Sequence, residues 1–184
     1  MVRFVRRELR DIAISVLILA VAVSNFDYVR LAVISLPLAL GFILHELSHK
    51  FIAIRYGYWA AYRMWIPGLA LALVVGLASG GRFLFAAPGA VVIMSSYFTS
   101  RESGLIGLAG PTMNLGLAGC FYAASYLPGI IGAIGYYGAF INLWLAFFNL
   151  LPVSPLDGSK VWQWNSKIGI GMLILTGSLI FLVS

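Results

Sequence analysis

The chain contains only two histidines, and both fall in one short stretch, His45-Glu46-Leu47-Ser48-His49. On an α-helix, residues four apart return to the same face one turn on, so both imidazoles can reach a single metal ion. Glu46 then projects about a quarter-turn away, able to exchange a proton with a water on that ion without ligating it. The chemistry on offer is metal-assisted hydrolysis with a carboxylate as acid and base.

A catalytic zinc usually takes three protein ligands and keeps one position open, so a third donor is needed. The chain has six acidic residues. Glu8 and Asp11 flank the first apolar run, Asp27 lies in a short loop and Glu102 in another, and all four read as loop or interface charges. Glu46 and Asp157 remain. Asp157 follows a long apolar run, past Pro152 and Pro155, which stop the helix and place it on irregular backbone. Such backbone is tolerated at membrane depth only when buried in protein or lining a wet cavity. Ionisable groups at that depth are costly and mark functional sites by default. His45, His49 and Asp157 are therefore the candidate metal ligands, for one zinc ion per chain, and Glu46 the candidate acid/base.

The elements that must position these groups belong to a membrane. The chain is 61% apolar and only 10% charged, with a mean hydropathy of +0.98, against about 25% charged in an ordinary soluble domain. The apolar runs are 11–24, 31–55, 65–79, 83–98, 105–127, 131–151 and 168–183. A crossing takes about 20 residues, so 31–55, 105–127 and 131–151 read as full spans, and 11–24 and 168–183 as shorter ones. The pair 65–79 and 83–98 reads either as two crossings or as a helix followed by a membrane-associated strand, since Gly80, Gly81, Pro88 and Gly89 interrupt it and the second part is rich in Val, Phe and Ile. The fold class is an all-α polytopic membrane protein of about six transmembrane helices, with a short β region near 83–98, in a single domain over 1–184.

Charge sets the orientation. Arg3, Arg6, Arg7 and Arg10 precede the first run. With the N-terminus in the cytoplasm, every Lys and Arg except Arg30 and Arg82 falls on the cytoplasmic side, as the positive-inside rule requires. The basic balance thus reads as topology and gives no sign of a nucleic-acid partner. The ends of runs 31–55 and 131–151 meet on that same side, His45 lying about 22 Å from the outer end of its helix at 1.5 Å per residue. The first run is a retained helix, because Ser24-Asn25-Phe26-Asp27 is not a small-residue cleavage site. Cys120, the single cysteine, permits no intrachain disulfide. Trp59, Trp65, Trp162 and Trp164 read as interfacial anchors, and Gly129, Gly132, Gly135 and Gly138 as small residues for close helix approach.

HELSH at 45–49 within an apolar helix, NLLPVSPLDG at 149–158 after a later span, and LAGPTMN at 108–114 together resemble the site-2 protease family of intramembrane zinc metalloproteases. The resemblance covers 31–55 and 105–160, with 83–98 similar to the family's membrane-associated strand. It implies His45, His49 and Asp157 as zinc ligands, Glu46 as the catalytic acid/base and Asn149 in binding substrate or the oxyanion. It also implies a transmembrane protein as substrate, within the lipid bilayer, in a minimal version without extra soluble domains. Ser48 and Ser159 stand where the family commonly has Gly. Asn114 reads as packing or capping after Pro111.

Two other classes stay open. A CAAX-processing membrane zinc protease also uses two histidines around a glutamate but takes a downstream Glu as third ligand, for which only Glu102 is available. A catalytically inactive metal-binding or transport protein is the other. Membrane di-iron oxygenases are excluded by the histidine count.

Overall fold

The computed structural model describes residues 4–81, 88–95 and 97–183. Arg3, Arg82 and the stretch 83–87, which entered the topology and strand readings, lie outside them. Among the described residues the order is α1 (Arg6–Ser24), α2 (Tyr28–Arg55), β1 (Trp59–Met64), α3 (Ile66–Ala78), β2 (Gly89–Met94), α4 (Ser100–Ala124), α5 (Gly129–Asn149), α6 (Asp157–Trp164) and α7 (Ser166–Val183). Helices dominate, joined by one small two-stranded sheet. Helices α2, α4, α5 and α7 are long and apolar enough to cross a membrane, the mark of a membrane protein. In α1 the apolar stretch follows a charged first two turns, and α3 is a shorter apolar helix.

Helix starts follow local chemistry. Asp27 caps α2 by accepting from the Val29 and Arg30 N–H groups. Thr99 caps α4, with Glu102 reaching back to the Thr99 N–H in a capping box. Helix α4 is the hub, packed against α5, α2 and α6, while α1 lies across α2, α3 and β1. Gly135 and Gly138 bring α5 against the last turns of α4, where a Cβ would overlap Ala124 and Phe121.

The 65–98 region resolves into helix plus strand. At 13 residues, α3 spans about 20 Å at 1.5 Å per residue, short of the roughly 30 Å hydrocarbon layer. β2 then pairs antiparallel with β1, Trp59 opposite Met94 through Met64 opposite Gly89. The sequence flagged β2 inside 83–98 but not its partner. β1 carries a Trp, a Tyr and an Arg in six residues and reads as an interfacial loop until its neighbour is known.

Two other expectations need correction. Asp157 is not on irregular backbone: it is the first residue of α6. Pro152 and Pro155 end one helix, and a carboxylate is favoured in the first turn of the next, against the positive end of its dipole. Nor are Glu8 and Asp11 surface charges, since both are buried. Lys50 Nζ donates to both Glu8 oxygens at 2.7 and 2.6 Å, and the Tyr62 N–H donates to Oε1 at 3.1 Å. One carboxylate thereby fastens α1, α2 and β1 together. It does so one residue past His49, and no local pattern announces so distant a pairing.

Candidate metal centre

Helix α2 presents His45 and His49 on one face, as their spacing requires, with ring centroids 4.7 Å apart. Asp157, at the start of α6, comes up to them. Its Oδ2 lies 3.1 Å from His45 Nε2 and 2.9 Å from His49 Nε2. The three residues are buried, and their donor atoms all lie within 4.8 Å of one another. Two imidazole nitrogens and a carboxylate oxygen are a donor set suited to zinc. His49 Nε2 is buried and makes no aligned hydrogen bond among the described residues despite its closeness to Asp157. A buried polar atom with no partner is costly, and an ion at that point removes the cost.

Both rings are held from behind by α4. His45 donates Nδ1–H to Asn114 Oδ1, and His49 donates Nδ1–H to the Ile106 carbonyl at 2.6 Å. With Nδ1 carrying the proton, each Nε2 is left to face Asp157. Between these two anchors sits Gly110, where a Cβ would overlap His49 Nε2 and the His45 ring. The middle of the 108–114 motif is thus the point at which α4 backbone meets the metal-facing atoms, and only glycine fits.

Asp157 has a second neighbour. Lys160, one turn on along α6, donates to Oδ1 at 3.2 Å, leaving Oδ2 for the histidines. Glu46 is buried beside the cluster, with Oε2 lacking a hydrogen-bond partner among the described residues and the backbone N–H of Val91 in β2 facing the carboxylate. Asn149 lines the same cleft of about 460 Å³ as His45, Glu46, Val91 and Asp157, its Nδ2 bonded to the Leu145 carbonyl of its own helix at 2.9 Å. Glu102 is elsewhere, half-buried and engaged with Thr99.

The structure thus brings His45, His49, Glu46, Asp157 and Asn149 to one cleft. Sequence reasoning missed Lys160, the Ile106 carbonyl, the contact between Asn114 and His45, and Asn142, which bonds Asn114. An asparagine inside an apolar span was the available signal for Asn142. A backbone carbonyl leaves none.

Comparison with known proteins agrees with this geometry. The chain is 41% identical to a protein of Methanocaldococcus jannaschii named "Putative zinc metalloprotease MJ0611", over 98% of this chain and 97% of that one. A Mycobacterium tuberculosis protein named "Putative zinc metalloprotease Rip2" is 36% identical over 62% of this chain and half of its own length. A Synechocystis protein, "Putative zinc metalloprotease sll0528", is 31% identical over 72% of this chain and 32% of its own. No family model and no solved structure matches. The chain belongs to the site-2 protease family of zinc metalloproteases.

Proposed function

We propose that this protein is an intramembrane zinc endopeptidase that hydrolyses peptide bonds within transmembrane helices of membrane-anchored substrates. It is a multi-pass protein with its N-terminus in the cytoplasm, and His45, His49 and Asp157 hold one zinc ion per chain. The observation that carries this is the meeting of the two Nε2 atoms and the Asp157 carboxylate at one buried point, beside a buried Glu46 whose Oε2 has no hydrogen-bond partner among the described residues.

Zinc bound there supplies Lewis acidity and brings the pKa of a coordinated water towards about 7. The chain's own groups do the rest. Glu46 Oε2 accepts a proton from the attacking water, whose oxygen bonds to the scissile carbonyl carbon. Glu46 then passes that proton to the leaving amide nitrogen as the C–N bond breaks. Asn149 lines the cleft where the carbonyl oxygen gathers charge.

A transmembrane helix hides its amides in its own hydrogen bonds, so the substrate must unwind before attack. One edge of β2 pairs with β1, and the other has no strand partner among the described residues. Pro88 to Ile93 line the cleft, so an unwound segment can add there as a third strand. Adding at that edge brings the segment past Val91 and therefore past Glu46.

The test is the purified protein given a single-span substrate. Glu46→Gln keeps zinc and loses cleavage; retained cleavage in this variant overturns the assigned role. The CAAX-type alternative loses support because Glu102 caps α4 away from the histidines. One equivalent of zinc with no proteolysis of any single-span protein would favour a non-enzymatic, metal-binding role instead.

A further inference from the structure

Behind the metal ligands lies a chain of buried amides between α2, α4 and α5. Asn114 and Asn142 are both fully buried. Asn142 Nδ2 donates to the Gly138 carbonyl at 2.9 Å and the Pro37 carbonyl at 3.5 Å. Asn114 Nδ2 donates to Asn142 Oδ1 at 2.9 Å and to the Gly41 carbonyl at 3.1 Å. Asn114 Oδ1 accepts from His45 Nδ1.

The order of donors and acceptors in this chain is forced from its far end. Backbone carbonyls only accept, so the face of Asn142 turned to Gly138 and Pro37 must be its NH₂ group. Its Oδ1 therefore points at Asn114 and can receive only an N–H. That, with the Gly41 carbonyl, turns the Asn114 NH₂ away from the histidine and its Oδ1 towards it. His45 must then carry a proton on Nδ1, and Nε2 is the ring atom turned to the metal side, 3.1 Å from Asp157 Oδ2. The fit is close: a Cβ on Gly41 would fall on the Asn142 amide, so α2 and α5 approach this nearly only because residue 41 is glycine.

We propose that Asn142 is a positioning residue for the metal centre, fixing through the Asn114 amide the His45 tautomer that offers Nε2 to the ion. This rests on the zinc-protease reading for its purpose, but the tautomer can be read without metal or substrate. Asn142 touches neither ligand nor cleft and acts through Asn114. Outer partners of this kind typically contribute 10- to 100-fold in metal affinity. Asn142 shares the anchoring of Asn114 with the Gly41 carbonyl, which points to the lower end of that range.

The experiment uses the full chain in detergent, labelled with ¹⁵N-histidine. Two histidines give two assignable ring-nitrogen pairs, and His49, bonded to the Ile106 carbonyl, is the internal control. In metal-stripped wild type, His45 shows a protonated Nδ1, whether Nε2 is bare or shares a second proton with Asp157; a bare Nδ1 overturns the proposal with no variant needed. Asn142→Leu keeps the side-chain shape but neither donates nor accepts. It mixes the His45 tautomers, leaves His49 unchanged, and weakens zinc about tenfold in chelator competition. In an Asn114→Asp background, where either oxygen accepts from Nδ1–H, the same Asn142→Leu change costs less than about twofold in zinc affinity. Equal losses in both backgrounds, or an unmixed His45 tautomer in Asn142→Leu, overturn the role. Failure of the protease reading would show separately, as cleavage that survives in Glu46→Gln or wild type that takes up no zinc.

Discussion

Two buried ionic clusters sit within one helical turn of each other on α2, and they are finished differently. Around Lys50 the groups close on themselves: both Glu8 oxygens accept from the ammonium, and Oε1 also takes the Tyr62 N–H. Around His45 and His49 the chain secures the backs of both rings and one Asp157 oxygen, then leaves His49 Nε2 and Glu46 Oε2 without hydrogen-bond partners among the described residues. Burying charge is expensive in either place. The closed cluster recovers that cost in folding and ties three elements together. The open one keeps its unsatisfied atoms in one cleft, where the proposed ion and reacting water would restore what folding withheld. Burial and charge alone do not distinguish structure from function here; completeness of pairing does.

The strongest way to break this distinction is to remove a group from the open cluster. Asp157→Ala eliminates tight zinc binding and cleavage together, while Glu102→Ala leaves both intact, read as zinc content and substrate turnover of the purified variants. Equal zinc loss in both would return the CAAX-type ligand set. Glu46→Gln comes next, with cleavage down by about 10²- to 10⁴-fold, the usual range for a positioned acid/base, and zinc stoichiometry unchanged.

The closed cluster answers in stability. Lys50→Met leaves Glu8 buried without its cation and costs about 3–5 kcal/mol, seen as a lower thermal midpoint in detergent, with zinc per folded molecule preserved. Replacing both partners, Glu8→Leu with Lys50→Met, restores much of that loss, because two matched apolar groups leave no stranded charge. A double variant no more stable than Lys50→Met would show that Glu8 holds β1 through Tyr62 more than through Lys50. The smallest effect falls on the cleft wall. Val91→Pro removes the N–H that faces Glu46 while β2 keeps its pairing with β1 on the other edge, a position proline tolerates. KM rises several-fold and zinc affinity stays near wild type, with a small drop in thermal midpoint because the Val91 side chain packs on the core.

The open cluster was far more legible in sequence than the closed one, and the reason is distance along the chain. His45, Glu46 and His49 are set by one helical turn, and Asp157 stands out as the remaining carboxylate near an apolar run. Their identities and spacing carry their chemistry. Glu8 and Lys50 are 42 residues apart, each in ordinary surface company, and only the packing of α1 on α2 reveals them as partners. The same holds for β1, whose strand character depends on β2, and for α6, whose eight residues give too little periodicity to register against the prolines before them. Asn114 appeared as part of a motif without a task, since its partner is a ring nitrogen on another helix. Long apolar helices were readable from hydropathy because the bilayer imposes their length.

The most direct measurement is an X-ray absorption spectrum at the zinc edge on the purified Glu46→Gln protein, paired with its metal content. The account predicts one zinc per chain with two imidazole nitrogens and carboxylate oxygen at about 2.0–2.2 Å, and loss of the bound zinc in Glu46→Gln with Asp157→Ala. Zinc bound without imidazole, or an unchanged ligand shell when Asp157 is removed, would contradict it.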